Sequence, residues 1–400
     1  MQKNKVVAFA LLPVIVLMPL WFSPLNGGEK TYAPSDTVFM TLLFAGDVMG
    51  HDGQIKGALT SQGTYEYDTC FYYVNDIIKK ADVAIANLEV TLAGPPYAGY
   101  PQFSSPDELA KSLKTNGFDI LATANNHTCD KGKKGIIRTL AVLDSLAIPH
   151  VGSYFDSLQA DTAHPLIINH NGIKLALYNY TYGTNGIEVP TPTKVNLIDT
   201  ASLRCDLKKP LKQAVDLKIV FFHWGNEYQT FASKYQEDFE KRAYAWGADM
   251  VIGSHPHVVQ PATLSPDSLR PRLTVYSLGN FVSDQRTHPR DGGMMLQLTL
   301  AKYGGKTWVY NAGYYLTWVF TPYINGVKKH LILPLSKFEQ DTMFFGNPAD
   351  FKKMLRYANT ARVVLRKPEN AIGEYLWNKS QNDWSLKHNA APVPDTSKIE

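Results

Sequence analysis

Short apolar runs alternate with amphipathic stretches along the chain from about residue 38 onward. The runs have the length of buried strands, and the stretches between them have the spacing of helices with one apolar face. This pattern predicts strands at residues 38–45, 82–86, 119–123, 149–152, 217–222, 250–252 and 273–277, and helices at 71–80, 105–117, 135–146 and 236–246. Strands and helices that alternate in this way predict βαβ units, a largely parallel sheet and an α/β fold.

The chain after about residue 290 has a β-rich pattern, with predicted strands at 294–301, 306–311, 314–323 and 328–334. Asn171-Gly172 and Asn325-Gly326 each separate two apolar runs, which predicts tight turns between strands. Residues 349–365 and 369–377 have helical patterns. We therefore expect a main domain at 37–290, an extension at 291–378 packed on it, and a loose polar tail at 379–400.

The first 30 residues have the pattern of an export signal. Lys3 and Lys5 precede a run of 17 uncharged residues, Val6 to Phe22, and a polar break follows. A positive start followed by an apolar run is typical of a signal peptide, although 17 residues also approach the length of a membrane anchor. The sequence thus predicts export to the periplasm or the outer face of the cytoplasmic membrane, with a cleaved signal and a retained anchor both open.

Composition excludes some classes of protein. Hydrophobic residues make up 44% of the 400, as expected for a folded chain, and 40 basic residues nearly balance 36 acidic ones. A net charge of +4, without clustered Lys and Arg, does not favour nucleic-acid binding. Three cysteines without CxxC spacing predict neither a disulfide framework nor a thiolate metal site.

Polar residues follow six of the predicted strands. The motifs are Gly46-Asp47-Val48-Met49, Asn87-Leu88-Glu89, Asn125-Asn126-His127, His223-Trp224-Gly225-Asn226-Glu227, Gly253-Ser254-His255-Pro256-His257 and Gly279-Asn280-Phe281. Ligands of open α/β sheets bind outside the carboxyl ends of the strands. A turn needs Gly or Asn, but it has no need of His, Asp or Glu.

The residue types in these motifs suit a divalent cation. Carboxylate, amide and imidazole ligands together favour Mn, Zn, Fe, Mg or Ca. Asp47 alone could be a helix cap, His223 alone a core histidine and Asn280 alone a turn former. Separate structural causes would not place all these ligand types at one edge of a sheet, so we predict a metal site. Two ions would need a bridging carboxylate, for which Glu89 is the candidate.

The same motifs resemble the CapA family of bacterial capsule synthesis proteins, which are linked to poly-γ-glutamate. The resemblance covers residues 38–285, with each block in order, and includes Asp130-x-Gly132 and His257-x-x-Gln260. It implies a fold similar to calcineurin-like metallophosphoesterases, a four-layer α/β/β/α sandwich with two metals.

The resemblance also implies roles for the residues at matching positions. Asp47 and His257 would bind the first metal, Glu89 would bridge, and Asn126, His223 and His255 would bind the second. His127 would be the general acid, and Glu227 is a second catalytic candidate. Further candidates for the cleft are His51, Asn87, Asn125, Asp130, Gln260 and Asn280. Met49 stands where the phosphoesterases have a histidine, which predicts a weakened first metal site.

Three functions follow from these expectations. The first is an envelope protein of capsule or poly-γ-glutamate biosynthesis or export, with a metal-dependent hydrolase site that acts on an amide or a phosphoester. The second is a non-catalytic subunit that binds the polymer or scaffolds the capsule synthase. The third is an envelope metallophosphodiesterase. The expected partners are an anionic polymer such as poly-γ-glutamate, capsule synthase subunits and the membrane, but not nucleic acid.

Overall fold

The computed structural model describes residues 36–265, 272–368 and 371–387. Its strands, numbered in chain order, are β1 Val38–Val48, β2 Val83–Leu88, β3 Ile120–Ala122, β4 His150–Val151, β5 Ser153–Tyr154, β6 Leu166–His170, β7 Ile173–Thr181, β8 Lys194–Val195, β9 Leu217–His223, β10 Met250–Ser254, β11 Ala262–Leu264, β12 Leu273–Val275, β13 Asn280–Val282, β14 Gly292–Tyr303, β15 Lys306–Phe320, β16 Tyr323–Ile324, β17 Val327–Lys328, β18 Leu331–Pro334, β19 Gly373–Asn378 and β20 Asp383–Lys387.

The helices connect these strands along the outer faces of the fold. They are α1 Asp52–Ala58, α2 Asp68–Phe71, α3 Asn75–Lys79, α4 Glu108–Thr115, α5 Gly132–Ser145, α6 Ser157–Ala163, α7 Thr200–Lys208, α8 Lys234–Trp246, α9 Leu335–Phe338 and α10 Pro348–Arg366. Within the described ranges, no helix is both long and apolar enough to cross a membrane. The predicted export signal at residues 1–30 lies outside the described residues.

Two large sheets form the centre of the fold. The first has ten strands in the order β20-β19-β15-β14-β1-β2-β3-β4, with β13 beside β1 and β18 beside β15, and the second has six in the order β11-β12-β10-β9-β7-β6. β1 to β4 are parallel to one another, as are β7, β9, β10 and β12. β14 runs antiparallel to both β1 and β15, and β15 pairs in parallel with β19. The first sheet is therefore mixed, with its parallel half at β1–β4.

Alternate residues of β1 point into different hydrophobic layers. Leu42 and Phe44 belong to the cluster that also contains Leu177 and Phe221 of the second sheet, so the two sheets pack face to face. Leu43 and Ala45 belong to a cluster with residues of α4, on the opposite face. This period of two is what a strand buried on both faces requires.

The outer face of the second sheet is covered in the same way. Tyr178 of β7 and Phe222 of β9 pack with Leu203 of α7 and Ala243 of α8. The layers thus run helix, sheet, sheet, helix. The predicted α/β class and the four-layer α/β/β/α arrangement are confirmed.

The segment after residue 290 supplies strands to the first sheet. β14 pairs along its length with β1, from Val38 opposite Lys302 to Ala45 opposite Met295. The predicted strands at 306–311 and 314–323 form a single strand, β15. Within the segment predicted to be a loose tail, Asp383–Lys387 pairs with β19, and residues 388–400 lie outside the described part.

Two predicted helices differ from the structure. Residues 369–377 were expected to be helical, but Gly373–Asn378 is β19, because β15 and β20 supply hydrogen-bond partners on both sides. Residues 71–80 were expected to form one helix, but α2 ends at Phe71 and α3 begins at Asn75. The ring of Tyr73, between them, packs on Phe338 and Phe344, so tertiary contacts interrupt the helix.

Candidate functional site

The carboxyl ends of strands from both sheets meet at one place between the sheets. Asp47 is the second-last residue of β1, and Glu89 directly follows β2. His223 is the last residue of β9, and His255 directly follows β10. β1 ends three residues and β9 one residue beyond the predicted ends. Backbone pairing therefore holds both Asp47, which follows a shift in the register between β1 and β2, and His223.

Asp47, Glu89 and His257 form a first group, in which one potential ligand atom from each residue lies within 4.8 Å of the others. Nδ1 of His257 lies 3.1 Å from Oδ2 of Asp47, and its Nε2 lies 3.8 Å from Oε1 of Glu89. When Nδ1 donates its proton to Asp47, Nε2 of His257 is left as the ligand atom.

Glu89, His223 and His255 form a second group by the same measure. Nε2 of His223 lies 3.5 Å from Oε1 of Glu89 and 2.8 Å from Oδ1 of Asn126. Glu89 therefore belongs to both groups, which is the arrangement that a carboxylate bridging two ions requires.

Two buried atoms at the centre of the site lack hydrogen-bond partners among the described residues. They are Oε1 of Glu89 and Nδ1 of His255. A buried polar atom without a partner costs about 1–3 kcal/mol. A divalent cation would satisfy both atoms, and the carboxylate, amide and imidazole groups are the ligands that Mn, Zn and Fe accept. The residues present therefore fit a pair of divalent cations.

The two carboxylates differ in their electrostatics. Burial raises the pKa of Glu89 well above its usual value, and the neighbouring charge of Asp47 adds to that rise. Burial also opposes ionisation of Asp47, but hydrogen bonds and charge from His257 and a hydrogen bond from Asn87 outweigh it, so the pKa of Asp47 is lowered. Without a cation, Asp47 therefore ionises at a lower pH than Glu89.

The imidazoles are held neutral. Burial lowers the pKa of His255 to about 3, with a further contribution from His257, and burial also lowers the pKa of His223. Neutral imidazole is the form that binds metal, so both histidines are in the binding form at neutral pH.

The loop after β10 adopts an unusual backbone to present its two histidines. His255 and His257 have φ values of 99° and 57°, a region that L-residues seldom occupy. The backbone N–H of His255 donates to Oδ2 of Asp47 at 3.3 Å. Residues held in this region cluster at functional sites, because the surrounding contacts must offset the strain.

Asparagines hold the ligand residues in place. Nδ2 of Asn87 donates to Oδ1 of Asp47 at 2.8 Å, and Nδ2 of Asn125 donates to the carbonyl of Leu88 at 2.7 Å. Oδ1 of Asn280 lies 3.0 Å from Nδ1 of His257. These predicted cleft residues therefore contact the ligand groups, or the strand that carries them, and orient them.

His127 lies beside the site with one nitrogen occupied. Its Nδ1 lies 2.8 Å from Oδ2 of Asp130, which also accepts the backbone N–H of Phe103 at 2.7 Å. The ring of Phe103 packs edge-on against His127 at 4.6 Å. Asp130 thus fixes the orientation of the ring and leaves Nε2 free to give or take a proton.

Residues 41–285, more than half of the chain, match the family described as bacterial capsule synthesis protein PGA_cap. The chain belongs to this family. The resemblance to capsule synthesis proteins is thereby confirmed.

Two relatives of this family member are named for capsule or PGA biosynthesis. A capsule biosynthesis protein CapA of Bacillus anthracis is 30% identical over 304 residues, covering 72% of this chain and 71% of the relative. A PGA biosynthesis protein CapA of Bacillus subtilis (strain 168) is 28% identical over 317 residues, covering 76% and 80%. Among solved structures, the calcineurin-like phosphoesterase YfkN from Bacillus subtilis is similar over 82% of this chain and 99% of that one, with 13% identity and a TM-score of 0.39.

Three other predicted residues lie outside both ligand groups of this PGA_cap family member. Glu227 is exposed on the loop after β9. Gln260 is fully buried and donates to the backbone carbonyls of Gln229 and Phe231, so it braces that loop. His51 caps α1, with Nδ1 at 3.2 Å from Oε1 of Gln54.

Met49 is 2% exposed and lies in the apolar cluster that also contains Leu88 and Phe103. The residue at this position therefore packs in the core, and the first group reaches three members without it.

Sequence reasoning missed several residues around the site. Tyr182 directly follows β7, and its ring lies 4.5 Å from that of His255. Oγ of Ser254, the last residue of β10, lies 3.1 Å from Nδ1 of His223. Ser254 lies within the motif at residues 253–257, although no role was predicted for it, and no candidate was predicted at the end of β7, where Tyr182 lies. Tyr228, whose ring stacks over His257 at 6.1 Å, lies inside a loop and was not predicted either.

Proposed function

We propose that this capsule synthesis family member is an envelope protein of poly-γ-glutamate or related capsule biosynthesis or export, with a metal-dependent hydrolase site. The observation that carries the proposal is the pair of three-residue groups that share the buried Glu89, with unpartnered ligand atoms at their centre. The names of the relatives, which refer to capsule and PGA biosynthesis, support the choice of pathway.

The metal ligands in this proposal are Asp47 and His257 on one side, His223, His255 and Asn126 on the other, and Glu89 between them. When bound there, divalent cations would supply Lewis-acid chemistry and activate water. The depressed pKa values of His223 and His255 keep these imidazoles ready to bind without first losing a proton.

His127 is the proposed proton donor to the leaving group. Asp130 holds its Nδ1, so the proton would pass from Nε2 to the departing nitrogen or oxygen while water adds to the carbonyl carbon or phosphorus. The burial of His127 beside Phe103 keeps bulk water from competing for this proton. Glu227, on the exposed loop, would contact the substrate outside the buried groups.

We further propose that residues 1–30 export the chain, so that the site faces the periplasm or the outer side of the cytoplasmic membrane, where it would meet the polymer and the capsule synthase.

The test begins with the purified full-length protein. Metal content by mass spectrometry and the thermal midpoint with and without Mn²⁺, Zn²⁺ or Ca²⁺ measure the metal site. Release of new amino termini from poly-γ-glutamate, compared with release of nitrophenol from a chromogenic phosphodiester, measures the reaction. We expect bound metal and chelator-sensitive cleavage of the polymer. A protein that contains no metal and gains no stability from any of these ions would contradict the proposal.

A non-catalytic polymer-binding role is the second candidate, favoured by Met49, which packs in the core where related hydrolases have a ligand. In that case His127→Ala and Glu89→Ala variants would change polymer binding while no cleavage is measurable in the native protein. Cleavage of the phosphodiester alone would instead favour an envelope phosphodiesterase.

A further inference from the structure

An arginine stacks on one wall of the proposed metal site. The guanidinium carbon of Arg290 lies 4.2 Å from the centre of the Tyr228 ring, and that ring stacks over His257 with centroids 6.1 Å apart. Tyr228 is 43% exposed, whereas Asp47, Glu89 and His257 are almost fully buried. The Arg290–Tyr228 pair therefore lies at the rim, between solvent and the first ligand group.

The backbone around this pair is fixed by both sheets. The carbonyl of Arg290 accepts Nδ2 of Asn280 at 2.8 Å, and Asn280 contacts His257 through its other amide atom. The backbone N–H of Tyr228 donates to the carbonyl of Pro256 at 2.8 Å. The rim is thus tied directly to the loop that carries His257, and it would keep its position when a ligand arrives.

The guanidinium of Arg290 is not needed to hold its own loop. The Arg290 backbone N–H donates to Thr287, and its carbonyl is bound by Asn280. The guanidinium carbon lies over the Tyr228 ring, and side-chain hydrogen bonds from Arg290 and with Glu227 also act on the Tyr228 hydroxyl. A guanidinium has five N–H donors, so further donors remain for a ligand. A permanent cation beside a site for divalent cations is unfavourable by itself, but it suits a ligand that brings negative charge.

We propose that Arg290, positioned by Tyr228, binds a free carboxylate of the substrate beside the bond that is cleaved. The fork of guanidinium N–H groups matches the two oxygens of a carboxylate. This assignment rests on the proposed function only in taking the substrate to be an anionic polymer. It makes Arg290 a residue that selects a polymer carrying a carboxylate on each unit over a neutral one.

The test compares two fluorescent γ-glutamyl oligomers on the full-length protein, one with free α-carboxylates and one with the same groups as methyl esters. We expect the native protein to bind the free acid more tightly. Arg290→Gln should weaken binding of the free acid about tenfold, the loss of one charged hydrogen-bonded contact, and leave binding of the ester unchanged. Arg290→Lys keeps the charge but not the two-pronged donor geometry, so its affinity for the free acid should lie between that of the native protein and that of Arg290→Gln.

Arg272 supplies a matched control, because it also stacks on a tyrosine, Tyr244, at 5.0 Å. Arg272→Gln should bind both oligomers like the native protein. Thermal midpoints of each variant show whether the fold is intact, and Arg290→Lys keeps the test valid if Arg290→Gln does not fold.

Equal binding of the free acid by Arg290→Gln and the native protein would overturn the proposal, as would an equal loss of affinity for both oligomers.

A competition experiment with inorganic phosphate tests whether Arg290 binds a phosphate group and not a carboxylate. Phosphate and glutarate, a small dicarboxylate, are each used to displace the free-acid oligomer from the native protein and from Arg290→Gln. If phosphate displaces it only from the native protein, and at a lower concentration than glutarate, the subsite binds phosphate and the carboxylate assignment is wrong. Binding is measured without turnover, so a failure to find hydrolysis would contradict the proposed function and leave this result standing.

Discussion

Oε1 of Glu89 lies 3.5 Å from Nε2 of His223, and both side chains are fully buried. The glutamate oxygen has no hydrogen-bond partner among the described residues, although it faces two ligand groups at once. A protein interior rarely leaves such an atom unsatisfied. Because Glu89 belongs to both ligand groups, a substitution at Glu89 tests both proposed metal positions at once.

Glu89→Gln should separate metal binding from folding. Glutamine resembles the protonated acid that burial favours, so the metal-free variant should be at least as stable as the metal-free native protein. The native protein should gain about 2.7 kcal/mol at a metal concentration one hundred times the Kd, and the variant should lose most of that gain. Thermal unfolding with and without Mn²⁺ measures both quantities. A variant that is stabilised as much as the native protein would show that Glu89 is not a ligand.

Metal binding should release a proton. Burial raises the pKa of Glu89, so below that pKa the free protein carries a proton that the cation must displace, whereas His223 and His255 are already neutral. Metal affinity should therefore rise with pH until the pH passes the pKa of Glu89. Calorimetry in two buffers of different ionisation enthalpy at one pH measures the number of protons released. Affinity that does not change with pH would contradict the raised pKa.

His127→Gln should lose turnover and keep metal. General-acid catalysis contributes about 10²–10⁴-fold, and that loss in kcat is expected while metal content stays the same. His170→Gln is the matched control, since His170 pairs with Asp82 at 3.1 Å and makes no contact with the ligand groups. A variant at His127 with unchanged kcat would remove this residue from the proposed mechanism.

Met49→Leu should be tolerated. Met49 packs among Leu88 and Phe103, and a swap that conserves volume in a core costs less than about 1.5 kcal/mol. Metal stoichiometry should not change, because the first group is complete without the thioether. Loss of one metal equivalent in this variant would show that the sulfur is a ligand after all.

Gly152→Ala should destabilise the fold at the loop that carries Asn126 and His127. Gly152 has φ +114°, and a Cβ there would collide with Oδ1 of Asn179, which accepts the backbone N–H groups of Thr123 and Ala124. A loss of about 3 kcal/mol in the free energy of unfolding is expected, in the range of core overpacking and strain. Gly183→Ala, with open space and no positive φ, should cost less than about 0.5 kcal/mol. Equal stability of the two variants in urea would contradict the close packing.

Local sequence rules worked where local forces dominate. Asn171-Gly172 lies between β6 and β7 as predicted, and Asn325-Gly326 lies between β16 and β17. The helix predicted at 349–365 is α10. In each case the turn chemistry or the apolar period is contained within a few residues. The strand at Gly373–Asn378 was missed although β20 follows it closely, because its other partner, β15, lies far earlier in the chain, with Gly313 opposite Gly373.

The sequence by itself determined which residues form the candidate metal site. Parallel strands bring their carboxyl ends to one edge, so Asp47, Glu89, His223 and His255 could be grouped from their positions after apolar runs alone. The sequence offered Glu89 as a candidate bridge, but its distances to both ligand groups come from the tertiary structure. Only the tertiary structure showed that Met49 packs in the core and that Arg290 lies over the Tyr228 ring. These relationships depend on contacts between residues that are far apart in the sequence, and no periodicity along one chain segment encodes such contacts.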